Sequence, residues 1–264
     1  MISEIIIRDW QHFDEEVTLL PYRRWLFRGQ SNVEWELQTS LVRLFKDLTK
    51  MFELGRPDRK RVFHRDKHEN AMIRQFTANA HLYLKTLPQK NTNLEWLSIM
   101  QHHGCPTRLL DVTASPYIAL YFALESGNTD AAVYAFNHRE FSNIDLEVLG
   151  KDYKKTVLDG NEKGKAFIIP FEPKQTNERL LAQQGAFLVP SNNNESFEQI
   201  ISVYPNEKPP VKKFIITRNL RLELTKKLRS MNIIAATLFP GLDGFCRSLK
   251  FQVDTISQLE RFEE

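Results

Sequence analysis

The sequence predicts an α+β fold on three observations: helical spacing dominates the first half, short β-prone runs gather in the second, and helical spacing returns near the C-terminus. The first half is therefore expected to be helix-rich and the second to carry most of the sheet. One domain over residues 1–264 is the simplest organisation, with a core over about 20–190 and the elements of 197–264 packed on it. No repeat or low-complexity tract divides the chain, and the most linker-like stretch, Pro190 to Glu195, is short and Asn-rich, which suits a loop.

Each element has its own local cause. Trp10, Phe13, Val17 and Leu20 recur at three- and four-residue spacing along one helix face, and Pro21 ends that helix. Trp25-Leu26-Phe27 is an aromatic-rich run closed by Gly29, read as a buried strand that delivers Arg28 to its end. Ser40 before Leu41-Val42-Arg43-Leu44-Phe45 is an N-cap signal, and polar–apolar helical stretches follow over about 62–87 and 94–102. Ser115-Pro116 opens another helix, with the serine as cap and the proline in a first turn that needs no N–H donor. Ala131 to Phe136, Ala186 to Val189 and Val211 to Ile216 are β-prone runs bounded by Gly, Pro or Asn. Residues 219–236 and 247–260 return to helical spacing, separated by a turn around Leu238-Phe239-Pro240-Gly241.

Composition excludes several classes of function. No uncharged apolar run is long enough to cross a bilayer, and the N-terminus lacks the pattern of a secretory signal, so the expectation is a cytoplasmic protein without a membrane partner. Two cysteines, Cys105 and Cys246, make neither a disulfide framework nor a metal site by spacing, and no metal is expected. A net charge of +3 is well short of a dedicated nucleic-acid domain. The local basic groups Tyr22-Arg23-Arg24 and Arg56 to Arg61 are read chiefly as solvated surface.

Two segments carry the chemistry. Arg28 beside Gly29 and Gln30 offers a guanidinium that grips phosphate or carboxylate at two points, with a glycine that lets a ligand approach the backbone. The alternative is an arginine tied to a buried carboxylate. Gln101 to Asp111 packs two His, a Gly, a Cys, a Thr, an Arg and an Asp into one stretch that runs into the Ser115 helix start, where anions are stabilised. Thr107, Arg108, Thr113 and Ser115 are candidate ligand contacts; the alternative is that Asp111 and Thr113 cap the turn and Arg108 pairs with Asp111. His103, next to Gly104, is favoured over His102 as an acid–base candidate, since adjacent residues point different ways. Cys105 reads as a small buried thiol before a nucleophile. Gln183-Gln184-Gly185 places an amide at another strand start.

Together these pieces resemble the FRG domain, named for a Phe/Tyr-Arg-Gly signature matched here by Phe27-Arg28-Gly29. The resemblance extends to Trp25 and Gln30, to Trp35 through Ser40-Leu41 and Arg43, to His103-Gly104 with Pro106 to Asp111, to Ser115-Pro116, and to Gln184 through Phe187. It implies a distant analogy with ADP-ribosyltransferases, whose small mixed or antiparallel sheets, surrounded by helices, offer an Arg, a Ser/Thr and a Glu to NAD. Arg28 is similar to the first of these and Thr107 or Thr113 to the second. The third departs, because Gln183 or Gln184 stands where a carboxylate belongs, and an amide supplies a dipole without a charge. Asp111 becomes the substitute if the fold brings it to the same pocket.

The resemblance implies a domain that binds NAD or a related nucleotide, with Arg28, His103, Asp111 and Gln184 as candidate catalytic groups and a possible place in bacterial anti-phage defence or stress response. The competing reading is a non-catalytic recognition module for nucleic acid or a protein, motivated by Tyr22, Trp25 and Trp35 among basic residues. A third is a hydrolase using Cys105 with His103.

Overall fold

A computed structural model describes residues 2–55, 63–88, 92–151, 166–174, 176–204 and 210–249. Strands β1 (Ser3–Ile7), β2 (Trp25–Gln30), β3 (Leu110–Thr113), β4 (Ala131–Asn137), β5 (Ile168–Phe171), β6 (Gly185–Pro190) and β7 (Val211–Ile216) form one mixed sheet. Its order is β1-β7-β4-β2-β3-β6-β5. The β1–β7 pair is parallel and the other pairs are antiparallel. The fold is thus α+β, and the second half of the chain carries most of the sheet as expected, through β4 to β7, with β1, β2 and β3 added from the first.

The helices around it are α1 (Trp10–Thr18), α2 (Ser40–Gly55), α3 (Arg65–Asn79), α4 (Asn93–His102), α5 (Pro116–Leu124), α6 (His138–Leu149), α7 (Glu178–Ala182), α8 (Phe197–Ser202), α9 (Arg221–Ser230) and α10 (Ala235–Leu238). Several local expectations hold. Phe13 and Val17 are the buried face of α1, and the Ser115 hydroxyl accepts from the Ile118 N–H with Pro116 in the first turn of α5. Others shift. The stretch expected over about 62–87 is helical only to Asn79, with a 3-10 turn at Ala80–Leu82. The helical run over 219–236 breaks where Asn232 takes a positive φ of 59°. Backbone is helical over 242–249, and the rest of the stretch expected over 247–260 lies outside the described residues, as does Arg56 to Arg61. No helix among the described residues is long and apolar enough to cross a membrane.

The cap of α2 is Thr39, whose hydroxyl accepts from the Val42 N–H at 3.3 Å. Ser40, the expected cap, instead accepts from the Thr107 N–H at 2.9 Å and donates to the Thr107 carbonyl at 3.2 Å. That reciprocal pair fastens the start of α2 to the loop before β3.

Alternation along β2 builds a core on each face of the sheet. Phe27 packs with Ile118, Ala119 and Ala123 of α5, whereas Leu26 packs with Tyr134, Phe136 and Phe197 on the opposite face. Gly29 lies directly under α5: a Cβ there would meet the Ala119 carbonyl oxygen at 1.9 Å and the Ala123 nitrogen at 2.5 Å. The glycine is required for this helix–strand contact. A third cluster joins α3 and α4 to β5 and β6 through Ile73, Leu97, Met100, Ile169 and Phe187.

Candidate functional site

The central strand β2 does not pair evenly with its two neighbours. All six of its residues pair with β4, but only Phe27 pairs with β3, opposite Thr113. Past that point the strands splay and leave a fork in the middle of the sheet. Arg28, fourth of six residues in a central strand rather than at a strand end, bridges the fork by donating from Nη1 to the Asp111 carbonyl at 2.8 Å. Its Nε is buried and has no hydrogen-bond partner. Desolvation lowers the guanidinium pKa from its ordinary value, and Arg43 acts in the same direction, while Asp111 and Tyr134 oppose them.

The fork opens into a cleft of about 860 Å³, within the range of roughly 300–1,000 Å³ typical of small-molecule sites. Arg28, Gly29, Gln30, Asp111 and Thr113 all line it, so the first stretch shares one cavity with Asp111, the last residue of the second. Asp111 is exposed there, and Gln30 is buried with its Oε1 unpartnered. Thr113 points its hydroxyl into local structure, donating to the Gln183 carbonyl at 2.7 Å and accepting from the Ser115 N–H at 3.0 Å.

Several candidates sit elsewhere. Arg108 is buried away from the cleft, and its carboxylate partners are Glu69 and Asp66 of α3, not Asp111. Asn193, also buried, donates to both of those carboxylates. Thr107 is fully buried and donates its hydroxyl to Gln101, while its backbone holds Ser40. These two residues position the walls of the cleft without lining it. Ser115 is occupied as the cap of α5.

His103 is exposed at the end of α4, edge-on to the His102 ring at 4.9 Å, and is not among the lining residues. Of the two glutamines, Gln183 lines the cleft, held by its amide on the Leu238 carbonyl at 3.0 Å. Gln184 is exposed outside it, at the turn where a φ of +46° lets its carbonyl accept from the Ala114 N–H at 2.9 Å. Burial, with Glu69 nearby, pushes the Cys105 thiol up, opposite to the activation a nucleophile needs.

Residues not singled out as site candidates complete the cleft. Arg43, Lys46, Asp47 and Lys50 form the charged face of α2, opposite its buried Leu41, Val42 and Phe45. Their i, i+3, i+4, i+7 spacing was the available signal. Glu34, Glu36 and Trp35 contribute from the turn after β2, and Arg179 from α7. The hydrogen bond and charge of Lys46 hold the Glu36 carboxyl below its usual range. Of the aromatics expected among basic residues, Trp25 is buried in the core, Tyr22 is exposed beside Arg23, and only Trp35 enters this cleft.

Residues 23–132 match the family model of the FRG domain. The match runs from the turn before β2 into β4, and so contains both sides of the fork. No curated protein and no solved structure matches the chain.

Proposed function

We propose that this FRG-domain chain binds an NAD-like dinucleotide in the β2–β3 fork. The observation that carries the reading is Arg28, a half-buried guanidinium that bridges the fork and keeps its buried Nε–H without a partner. Holding a cation in such a place costs stability, and an anionic ligand offsets that cost. Arg43 and Arg179 line the same cleft and complete a setting for a pyrophosphate.

Charge balance favours a dinucleotide over a polyanion. The lining has five cations, Arg28, Arg43, Lys46, Lys50 and Arg179, against four carboxylates, Glu34, Glu36, Asp47 and Asp111, a net of +1. A nucleic-acid groove is much more one-sided. NAD, with two phosphates and one cationic ring, suits a mixed lining.

Of the four lining carboxylates, Asp111 is the one on β3 whose charge acts on Arg28, and we assign it the ADP-ribosyl chemistry for which Gln183 supplies only an amide dipole. In that chemistry the bond between nicotinamide and the ribose breaks, the electron pair leaves with nicotinamide, and water or an acceptor hydroxyl adds to the ribose carbon and loses a proton. A carboxylate near that carbon stabilises the positive charge as it develops.

Incubation with labelled NAD tests both parts. Saturable binding with slow nicotinamide release is expected from the wild-type protein. Asp111→Asn is expected to keep binding within about threefold and to lower release by roughly a hundredfold, the scale of one lost electrostatic contact. Absence of saturable binding removes the dinucleotide reading, and binding without any release removes the chemistry alone.

A further inference from the structure

We propose, resting on the dinucleotide reading above, that Trp35 is the stacking platform for the purine ring at the end of the ligand away from the fork. Trp35 is 55% exposed, large for an indole, and lines the cleft. The backbone that carries it is fixed. The Trp35 backbone N–H donates to the Asn32 carbonyl at 3.2 Å, and the Asn32 side chain accepts from the Glu34 backbone N–H at 2.9 Å, closing a tight turn. The Val33 N–H then donates to the Asp130 carbonyl at 2.8 Å, which pins that turn to the segment entering β4. An indole presented to a cleft from a backbone held in place leaves only its own two side-chain torsions to be ordered on stacking a base.

The choice of purine follows from the ends of the cleft. The fork, with Arg28 and Asp111, takes the pyrophosphate and the ribose whose bond breaks, so the nicotinamide ring belongs beside β3. The turn carrying Trp35 follows the far end of β2, past Gln30, and takes the other ring. Stacking there is independent of the base edges, so the site selects a π-face joined to a diphosphate.

Three probes separate the outcomes: NAD, ADP and nicotinamide mononucleotide, titrated against wild type, Trp35→Ala and Trp35→Tyr, with tryptophan emission followed in the wild type. NAD and ADP are expected to quench emission, because Trp25 and Trp96 are buried and Trp35 is the exposed indole of this cleft. Trp35→Ala is expected to weaken NAD and ADP by about tenfold or more, to leave nicotinamide mononucleotide within about twofold, and to be rescued by Trp35→Tyr. Equal weakening of all three probes, or no change for ADP, overturns the platform while leaving dinucleotide binding intact. No binding of any probe to the wild type removes the dinucleotide reading and the platform with it. Quenching by a single-stranded oligonucleotide but not by NAD or ADP assigns Trp35 to nucleic acid instead.

Discussion

The Arg28 guanidinium gives one N–H to the Asp111 carbonyl and keeps Nε unpaired, whereas the Arg108 guanidinium is enclosed by Glu69 and Asp66. The first keeps a buried donor unpaired, and the second is neutralised by its two carboxylates. Truncation therefore has opposite consequences. Arg28→Met is expected to leave unfolding free energy within about 1 kcal/mol of wild type, since relief of desolvation offsets one lost hydrogen bond. Arg108→Met leaves two carboxylates facing each other without their cation and is expected to cost about 3–5 kcal/mol. Urea unfolding of the two variants decides between these roles, and a large loss in Arg28→Met would make that residue structural. Sequence alone did not separate the two arginines. Both stand in polar, turn-rich settings, and what differs is a partner: Glu69 lies thirty-nine positions before Arg108, on the face of α3 that also buries Ile73. A carboxylate in register with a buried apolar position was the signal for that pairing. His103 stands exposed at the end of α4 and is not among the residues lining the cleft.

At the scale of elements, β2 and α5 are fitted to each other at Gly29, where the helix backbone occupies the space of a side chain. Gly29→Ala is expected to destabilise the protein by about 3 kcal/mol, the upper range for overpacking, because the atoms to be displaced are backbone. A change below about 0.5 kcal/mol in urea unfolding would show that α5 slides freely on the strand. On the other side of α5, Tyr117 stacks on Trp10 at 5.8 Å and donates its hydroxyl to Asp14 of α1. Burial, reinforced by Asp14, pushes the Tyr117 hydroxyl from 10.0 up to about 12. The folded state thus holds this proton more tightly than the unfolded chain. Its stabilising effect is complete below pH 10 and is lost as pH rises toward 12. Tyr117→Phe is expected to show a shallower loss of stability across that window in urea melts at stepped pH. An unchanged alkaline limb would exclude Tyr117 as its source. The α1 face and the Ser115 cap were legible because their causes are local, a spacing and a cap. β1 and β5 were not, since Ser3–Ile7 and Ile168–Phe171 become strands only by adding to the sheet edges at β7 and β6.

At the scale of the molecule, the cleft exists because a continuous sheet is interrupted at one place. β3 spends all four of its residues on β6 and β2 all six on β4, so their shared boundary closes at a single pair and opens beyond it. Thr107 then fixes α2 across that opening through Ser40, and α2 turns its charged face inward. The motif residues were visible in sequence, but the fork was not, because strand splaying depends on which partner each strand prefers. Pairing of Arg28 with the Asp111 carbonyl crosses eighty-three residues, and no local pattern encodes it. The most direct measurement is a crystal structure of the protein soaked with NAD or ADP-ribose. Pyrophosphate oxygens are expected within hydrogen-bond reach of Arg28, inside the fork and on the Asp111 side. A dinucleotide seated away from Arg28, or a fork that stays empty at saturating ligand, would contradict it.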